Sequence, residues 1–197
     1  MKLNWAERWV VNNPVRVMIQ RFIIGRMQQM LSLPPEGVIL EVGCGRGAGA
    51  SLLLREFRPR RLHAMDLDLK MLRKAAAYLS PDEKGQVTLY LGDALSLPYA
   101  DATLDTVFAF GVLHHIPDWR GALQEIARVL KPGGAYFLEE FYPPFYLNFL
   151  ARRLFLHPET DRFYSEDLRQ ALAAARLPLT RAWELKKLGI WGVAIKE

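Results

Sequence analysis

Residues 39–47, Ile-Leu-Glu-Val-Gly-Cys-Gly-Arg-Gly, join an apolar run to a glycine-rich turn, with a carboxylate at the junction. Val38, Ile39 and Leu40 lead into Glu41, after which Gly43, Gly45 and Gly47 alternate with Cys44 and Arg46. Glycine at alternate positions lets the main chain turn sharply and approach a ligand with no Cβ in the way. Many mononucleotide-binding folds open in this manner, so the turn alone names a class of ligand and no more. The acidic residues further along narrow the choice: Asp66, Asp93 and the Glu139-Glu140 pair.

Asp66 lies nineteen residues beyond Gly47, at the end of a second apolar run, where a carboxylate accepts hydrogen bonds from ribose hydroxyls. That feature suits a nicotinamide dinucleotide equally well. Two observations weigh against a dinucleotide. The pattern is Gly-x-Gly-x-Gly rather than Gly-x-Gly-x-x-Gly, and residue 48 is Ala. Glu41 also stands two residues before the first glycine, where it would repel a pyrophosphate. A ligand with an ammonium and a sulfonium but no phosphate is attracted by the same charge. Asp93, in Leu91-Gly92-Asp93-Ala94, is placed to accept from an exocyclic amine such as that of adenine. An adenine amine, a ribose diol and a cationic amino-acid arm together describe S-adenosylmethionine. Glu41 has two readings, contact with the ligand or hydrogen bonds to amides that organise the glycine loop.

The elements that must position these residues alternate along the chain. Residues 4–31 read as one or two helices with a break at Asn12-Asn13-Pro14, where Asn caps and Pro opens a first turn. Val17, Phe22, Ile24, Met27 and Leu31 recur there at roughly helical spacing, and Leu33-Pro34-Pro35-Glu36-Gly37 breaks the pattern. Strands are expected over 38–42, 61–65, 87–91, 103–110 and 135–141. Helices are expected over 49–57, 69–79 and 119–129, the last ended by Lys131-Pro132-Gly133-Gly134. Helices over 145–156 and 165–175, the second capped by Ser165, precede closing strands over 179–188 and 192–195. Such alternation implies an α/β fold with a parallel sheet covered on both faces. With no repeat, low-complexity tract or linker, residues 1–197 form one domain. It divides into an N-terminal helical cap (1–35), a cofactor-binding core (36–140), a lid insert (141–177) and closing strands (178–197).

Composition sets bounds. Half of the 197 residues are apolar and a quarter charged, as in ordinary globular proteins. Cys44 is the single cysteine, which fits a reducing cytoplasm and rules out both an internal disulfide and a cysteine-histidine metal centre. No signal-peptide core or bilayer-length apolar run is present. The net charge of +5 is uneven. Residues 1–61 carry ten Lys/Arg against four Asp/Glu, residues 62–144 seven against eleven, and residues 145–197 nine against six. The basic ends are dispersed along amphipathic segments, so solvated faces explain them without an obligate nucleic-acid partner.

Over residues 36–140 the chain resembles the class I S-adenosylmethionine-dependent methyltransferases, in particular the small-molecule group that includes quinone-biosynthesis methyltransferases. The likeness rests on Glu41-Val42-Gly43-Cys44-Gly45-Arg46-Gly47, Asp66-Leu67-Asp68, Gly92-Asp93-Ala94 with Leu97-Pro98, Leu104 to His115, and Arg128 to Gly134. It implies a Rossmann-like, doubly wound sheet of seven strands in the order 3-2-1-4-5-7-6, the last strand antiparallel, with helices on both faces. It also implies that Asp66 and Leu67 hold ribose, and that Asp93 and Ala94 hold adenine. The Gly43–Gly47 backbone, Cys44 included, would then hold the methionine arm, with Glu41 and Phe110 bordering the same site.

The implied activity is methyl transfer to a small, apolar or aromatic acceptor, at oxygen or carbon, releasing S-adenosylhomocysteine. An RNA or protein methyltransferase and a non-catalytic S-adenosylmethionine-binding protein are the alternatives. His115 is the candidate base, with a pocket-shaping role as the other reading for it and for His114. Glu140 and Tyr142 are further acceptor-facing candidates. Asp68 reads as a helix cap, Asp105 as a structural residue, and Cys44 as a small side chain rather than a nucleophile. The aromatic and basic stretch from Phe141 to Phe155, together with Trp5 and Trp9, reads as a lid over an apolar substrate or as a peripheral membrane contact.

Overall fold

The computed structural model describes residues 13–31, 33, 37–146 and 161–197. Helix α1 (Pro14–Met30) begins where the sequence places a cap. Asn13 Oδ1 accepts from the Val15 amide at 2.8 Å, and Pro14 opens the helix, where an N–H would have no intrahelical partner. Ile24 and Met27 are buried as the spacing implies, joined by Ile23 and Met30, but Phe22 is 64% exposed. Phe22 stands about 140° round the helix from Met27, and Ile23 takes the inward place. Trp5 and Trp9, and most of the helix expected over 145–156, lie outside the described residues.

From Val38 onward strands and helices alternate. In chain order they are β1 (Val38–Val42), α2 (Ala48–Phe57), β2 (Arg61–Asp66), α3 (Leu69–Tyr78), α4 (Pro81–Lys84), β3 (Val87–Leu91) and β4 (Leu104–Phe110). A 3-10 turn (Leu113–His115), α5 (Trp119–Val129), β5 (Leu130–Phe141), α6 (Pro143–Tyr146), α7 (Ser165–Ala174), β6 (Leu179–Leu185) and β7 (Gly189–Ile195) follow. The strands form one sheet in the order β3-β2-β1-β4-β5-β7-β6. Neighbours among the first five are parallel, and β7 runs antiparallel to both β5 and β6. This is the Rossmann-like topology that the resemblance implies.

Alternation along the strands splits the core into two layers. Leu40, Val42, Val107, Ala109, Tyr136 and Leu138 pack with Trp119, Leu123 and Ile126 of α5 and Leu168 and Leu172 of α7. On the opposite face Ile39, Ala64, Phe108 and Phe137 pack with Ile24 and Met27 of α1, Leu53 of α2 and Leu72 of α3. Strand order reverses between β1 and β4, which opens a crevice above their carboxyl ends. At the other end of the sheet Asp105 is structural, as its position suggests. It accepts from the Val38 amide at 2.8 Å and from Lys131 Nζ at 2.6 Å, tying β1, β4 and β5 together.

Three boundaries differ from the sequence pattern. Lys131-Pro132-Gly133-Gly134 is a bulge inside β5 rather than a turn before it, because Leu104 pairs with Leu130 and Thr106 with Ala135. The Gly133 amide donates to Lys196 O at 2.8 Å, and the Lys196 amide to Gly134 O at 2.9 Å, which pins the bulge to the chain's last residues. Helix α7 starts after Tyr164, whose amide donates to Asp167 Oδ2 at 2.9 Å. Ser165, the expected cap, instead accepts from Arg169 Nε at 3.1 Å. Finally, β7 begins at Gly189, where a Cβ would meet Glu140 O at 2.4 Å, so only glycine allows this approach to β5.

Candidate functional site

The glycine turn between β1 and α2 holds Gly43, Gly45 and Gly47 at φ of +72°, +54° and +86°, a region that costs other residues strain. A Cβ on Gly43 would lie 2.6 Å from Val112 Cγ2, whereas one on Gly45 would meet nothing within 4 Å. The backbone at Gly45 therefore faces open space. That space is a cavity of about 320 Å³ over the carboxyl ends of the central strands.

Ten of the eleven residues expected from sequence to form the site border this cavity: Glu41, Gly43, Cys44, Gly45, Asp66, Leu67, Asp93, Ala94, Phe110 and His115. Gly47 is corrected. It caps α2, and a Cβ there would press on Ala75 at 3.0 Å, so its smallness serves the packing of α2 against α3. The sequence reading missed Arg16 and Gln20 of α1, Gly49 of α2, and Val112, Ile116 and Pro117 beyond β4, all of which line the wall. Gly49 left a trace, as a fourth glycine two residues past Gly47. Arg16 left none, because one cation in an amphipathic helix looks like any solvated one.

Asp66 both braces the turn and faces the cavity. Its Oδ2 accepts from the Gly45 amide at 2.9 Å and its Oδ1 from the Asp68 amide at 2.8 Å, leaving lone pairs for a ligand. Burial raises its pKa above the ordinary carboxyl value, and the two amides oppose the shift. Asp68 caps α3 by accepting from the Lys70 amide at 2.9 Å. Asp93 sits exposed at the rim, its Oδ1 turned onto the Leu95 amide at 3.0 Å, with Ala94 buried beside it.

Glu41 is 1% exposed. Burial, and then the neighbouring charge of Asp66, push its carboxyl up to about 8, while the Ala50 amide and Arg16 pull it down. Its Oε1 lies so close over α2 that a Cβ on Gly49 would fall 1.8 Å away, and its Oε2 is buried without a hydrogen-bond partner among the described residues. Cys44 is buried, and burial followed by Glu41 and Asp66 drives its thiol far above the usual range. It is an inert thiol rather than a nucleophile.

The exit of β4 is held by Glu140, which is fully buried. Its Oε1 accepts from the amides of Val112 at 3.1 Å and Leu113 at 2.8 Å. Its Oε2 accepts from the His114 amide at 3.3 Å and pairs with His114 Nδ1 at 2.7 Å. Glu140 is thus a brace, and His114 is locked to it and stacked on Tyr146 at 5.4 Å. His115, next along the turn, is the imidazole on the cavity wall. Tyr142 is buried with its hydroxyl donating to Glu184 at 3.0 Å. Neither Glu140 nor Tyr142 reaches the cavity, and the described parts of 141–177 add no residue to its wall. Among the described residues no cluster of His, Cys, Asp and Glu could hold a metal ion.

With this geometry in view, comparison with known proteins is specific. The family model described as "Methyltransferase domain" matches residues 40–138, half of the chain. Over 118 residues the chain is 34% identical to 27-O-demethylrifamycin SV methyltransferase of Amycolatopsis mediterranei, covering 59% of this chain and 43% of that protein. Over 115 residues it is 37% identical to a ubiquinone/menaquinone biosynthesis C-methyltransferase of Syntrophotalea carbinolica, covering 58% and 48%. The chain thus aligns with just under half the length of these curated relatives. The crystal structure of a SAM-dependent methyltransferase from Aquifex aeolicus superposes with a TM-score of 0.74 at 18% identity, covering all of both chains. Motif, topology and family match converge: the chain belongs to the methyltransferase-domain family, on the fold of the class I methyltransferases.

Proposed function

We propose that the chain is an S-adenosylmethionine-dependent methyltransferase acting at oxygen or carbon of a small, apolar or aromatic acceptor. One observation carries the reading. The glycine turn opens onto the cavity beside a buried carboxylate, Glu41, one oxygen of which has no hydrogen-bond partner among the described residues. A phosphate there would meet a buried acid, whereas an ammonium satisfies it. The bare backbone at Gly45 fits an amino-acid arm, Asp66 and Leu67 a ribose, and Asp93 and Ala94 an adenine.

The bound cofactor would supply an electrophilic methyl group. The protein's task is then to align an acceptor and exclude water. Phe110, Val112, Ile116 and Pro117 give the remaining wall an apolar character suited to such an acceptor. His115, on the cavity wall, would take a proton from a phenol or enol acceptor. The relatives named for an O-demethylated rifamycin and for C-methylation in quinone biosynthesis support both transfer modes. The buried thiol of Cys44 suits a reducing cytoplasm.

The test is turnover: release of S-adenosylhomocysteine in the presence of an extract of small metabolites, and none without it. Cofactor bound without turnover on any fraction would leave a sensor; turnover only on RNA or protein fractions would move the acceptor class. Asp66→Ala should weaken S-adenosylhomocysteine binding about 10- to 100-fold, through loss of charge-assisted hydrogen bonds worth about 1.5–3 kcal/mol. Unchanged affinity by calorimetry would remove Asp66 from the ribose site.

A further inference from the structure

Helix α1 is apolar on two sides. Ile23, Ile24, Met27 and Met30 are buried against the core, yet Val15, Met18, Ile19 and Phe22, at i, i+3, i+4 and i+7, are between 47% and 71% exposed. A helix lying on a globular core ordinarily turns polar residues to water, and a continuous exposed apolar stripe marks a contact surface. A neighbouring element extends the stripe. Arg181 Nη1 donates to Met30 O at 2.8 Å, and the Arg26 guanidinium lies 4.1 Å over the Trp183 ring, so α1 runs antiparallel to β6. Four residues of helix rise about 6 Å and two of strand about 6.6 Å. The next such step sets Phe22 level with Leu185, and the one after sets Met18 level with Lys187. Leu185 shares a sheet face with Arg181 and Trp183 by strand alternation. Leu185 and Leu188 are half-exposed and flank the exposed Lys186 and Lys187 at the tip of the β6–β7 hairpin. Since β7 is antiparallel to both β5 and β6, this tip lies at the carboxyl end of the parallel strands, the end that carries the cavity.

Charge selects the occupant. Helix α1 carries Arg16, Arg21 and Arg26 and no acid, and Leu185 to Gly189 carry two lysines and no acid. Two acids on adjoining strands are already committed, Glu139 to Arg16 and Glu184 to Arg169 at 3.1 Å. We propose that this face docks on an anionic lipid surface. The α1 stripe and the two hairpin leucines enter the headgroup boundary, while Arg21, Lys186 and Lys187 meet acidic headgroups. A second copy of the chain fits less well, because a symmetric contact would oppose two basic, acid-free faces. A nucleic acid would answer the charge but leave the apolar stripe in water. The surface is distinct from the Phe141–Phe155 stretch and owes nothing to the cofactor assignment. Arg16 and Gln20, on the same turns of α1, line the cavity, so docking would hold the cavity close to the bilayer, where apolar acceptors gather.

The experiment is flotation of the full chain with phosphatidylcholine vesicles containing about 30% phosphatidylglycerol, against vesicles of phosphatidylcholine alone. The wild type should float with the anionic vesicles and be released by high salt. Met18→Ser/Phe22→Ser, and separately Lys186→Gln/Lys187→Asn, should each lower the partition coefficient at least about tenfold. All four positions are exposed, and Asn tolerates the left-handed backbone that Lys187 holds at φ +69°, so both variants should keep the wild-type melting temperature. Their affinity for S-adenosylhomocysteine should be unchanged as well, because none of the four positions lines the cavity. The wild-type arm needs no substitution, so a variant that fails to fold still leaves a test. A wild type that stays in solution beside anionic vesicles overturns the proposal, as does equal flotation on neutral ones or undiminished flotation of both variants. So does a dimer that Met18→Ser/Phe22→Ser splits in the absence of any vesicle binding, which would give the face to a second copy.

Discussion

Glu41 shows how a single side chain can be legible in position and illegible in state. Its place before the glycine turn marks it as part of a site, but a carboxyl pushed up to about 8 requires burial under α1 and the nearby charge of Asp66, neither of which is local in sequence. The sign of the consequence follows from linkage. The folded chain keeps a proton that the unfolded chain loses near 4.5, so between about pH 4.5 and 8 the folded state binds more protons and stability falls as pH rises. One such group contributes a slope of up to about 1.4 kcal/mol per pH unit. Glu41→Gln removes the titration, so its urea-unfolding free energy should decline less steeply than the wild type's from about pH 5 to 8. Coincident slopes would mean that Glu41 ionises normally in the folded chain. Arg16 is the opposite case, since its partner Glu139 is 123 residues away and no local pattern marks an inward-facing cation.

At the scale of elements, the strands were legible because short apolar runs end in Gly, Pro or acidic residues. Their irregularities were not. The Lys131–Gly134 segment carries every local sign of a turn, and it becomes a bulge only because β4 sits beside it. The same holds at the exit of β4. Tandem histidines at the carboxyl edge imply that at least one faces the cleft, yet only the neighbour across the sheet decides which one borders the cavity. Glu140 makes that choice by gathering the amides of Val112, Leu113 and His114 and the His114 ring. A neutral amide in its place cannot accept at all four points and brings donors of its own toward backbone N–H groups. Glu140→Gln should therefore cost about 2–4 kcal/mol in urea unfolding, the range expected when several buried donors lose their acceptor. It should also misplace His115 and so reduce turnover more than cofactor affinity. An unchanged unfolding midpoint would show that the 3-10 turn stands without this brace.

For the molecule as a whole, alternation of strands and helices established a parallel sheet with two covered faces, but the strand order came from the resemblance alone. Apolar runs buried on both faces look alike, so β1 carries no local sign that β2 and β4 are its neighbours. The reversal between β1 and β4 is what creates the crevice, and so cofactor choice is a property of the assembled sheet. The cavity is walled by the ends of β1, β2 and β4, the start of α2 and, through Arg16 and Gln20, the first helix, so a ligand filling it would bridge all of them. Binding should then stabilise the domain globally. A ligand at 100 times its dissociation constant adds about 2.7 kcal/mol, which for a chain of this size raises the melting temperature by about 5–11 °C. S-adenosylhomocysteine should produce that shift. Nicotinamide adenine dinucleotide at the same concentration, compared above pH 8 where Glu41 is ionised, should produce none, because its pyrophosphate would be repelled by that carboxylate. A larger shift with the dinucleotide would reassign the glycine turn to phosphate binding, and with it the chemistry of the cavity.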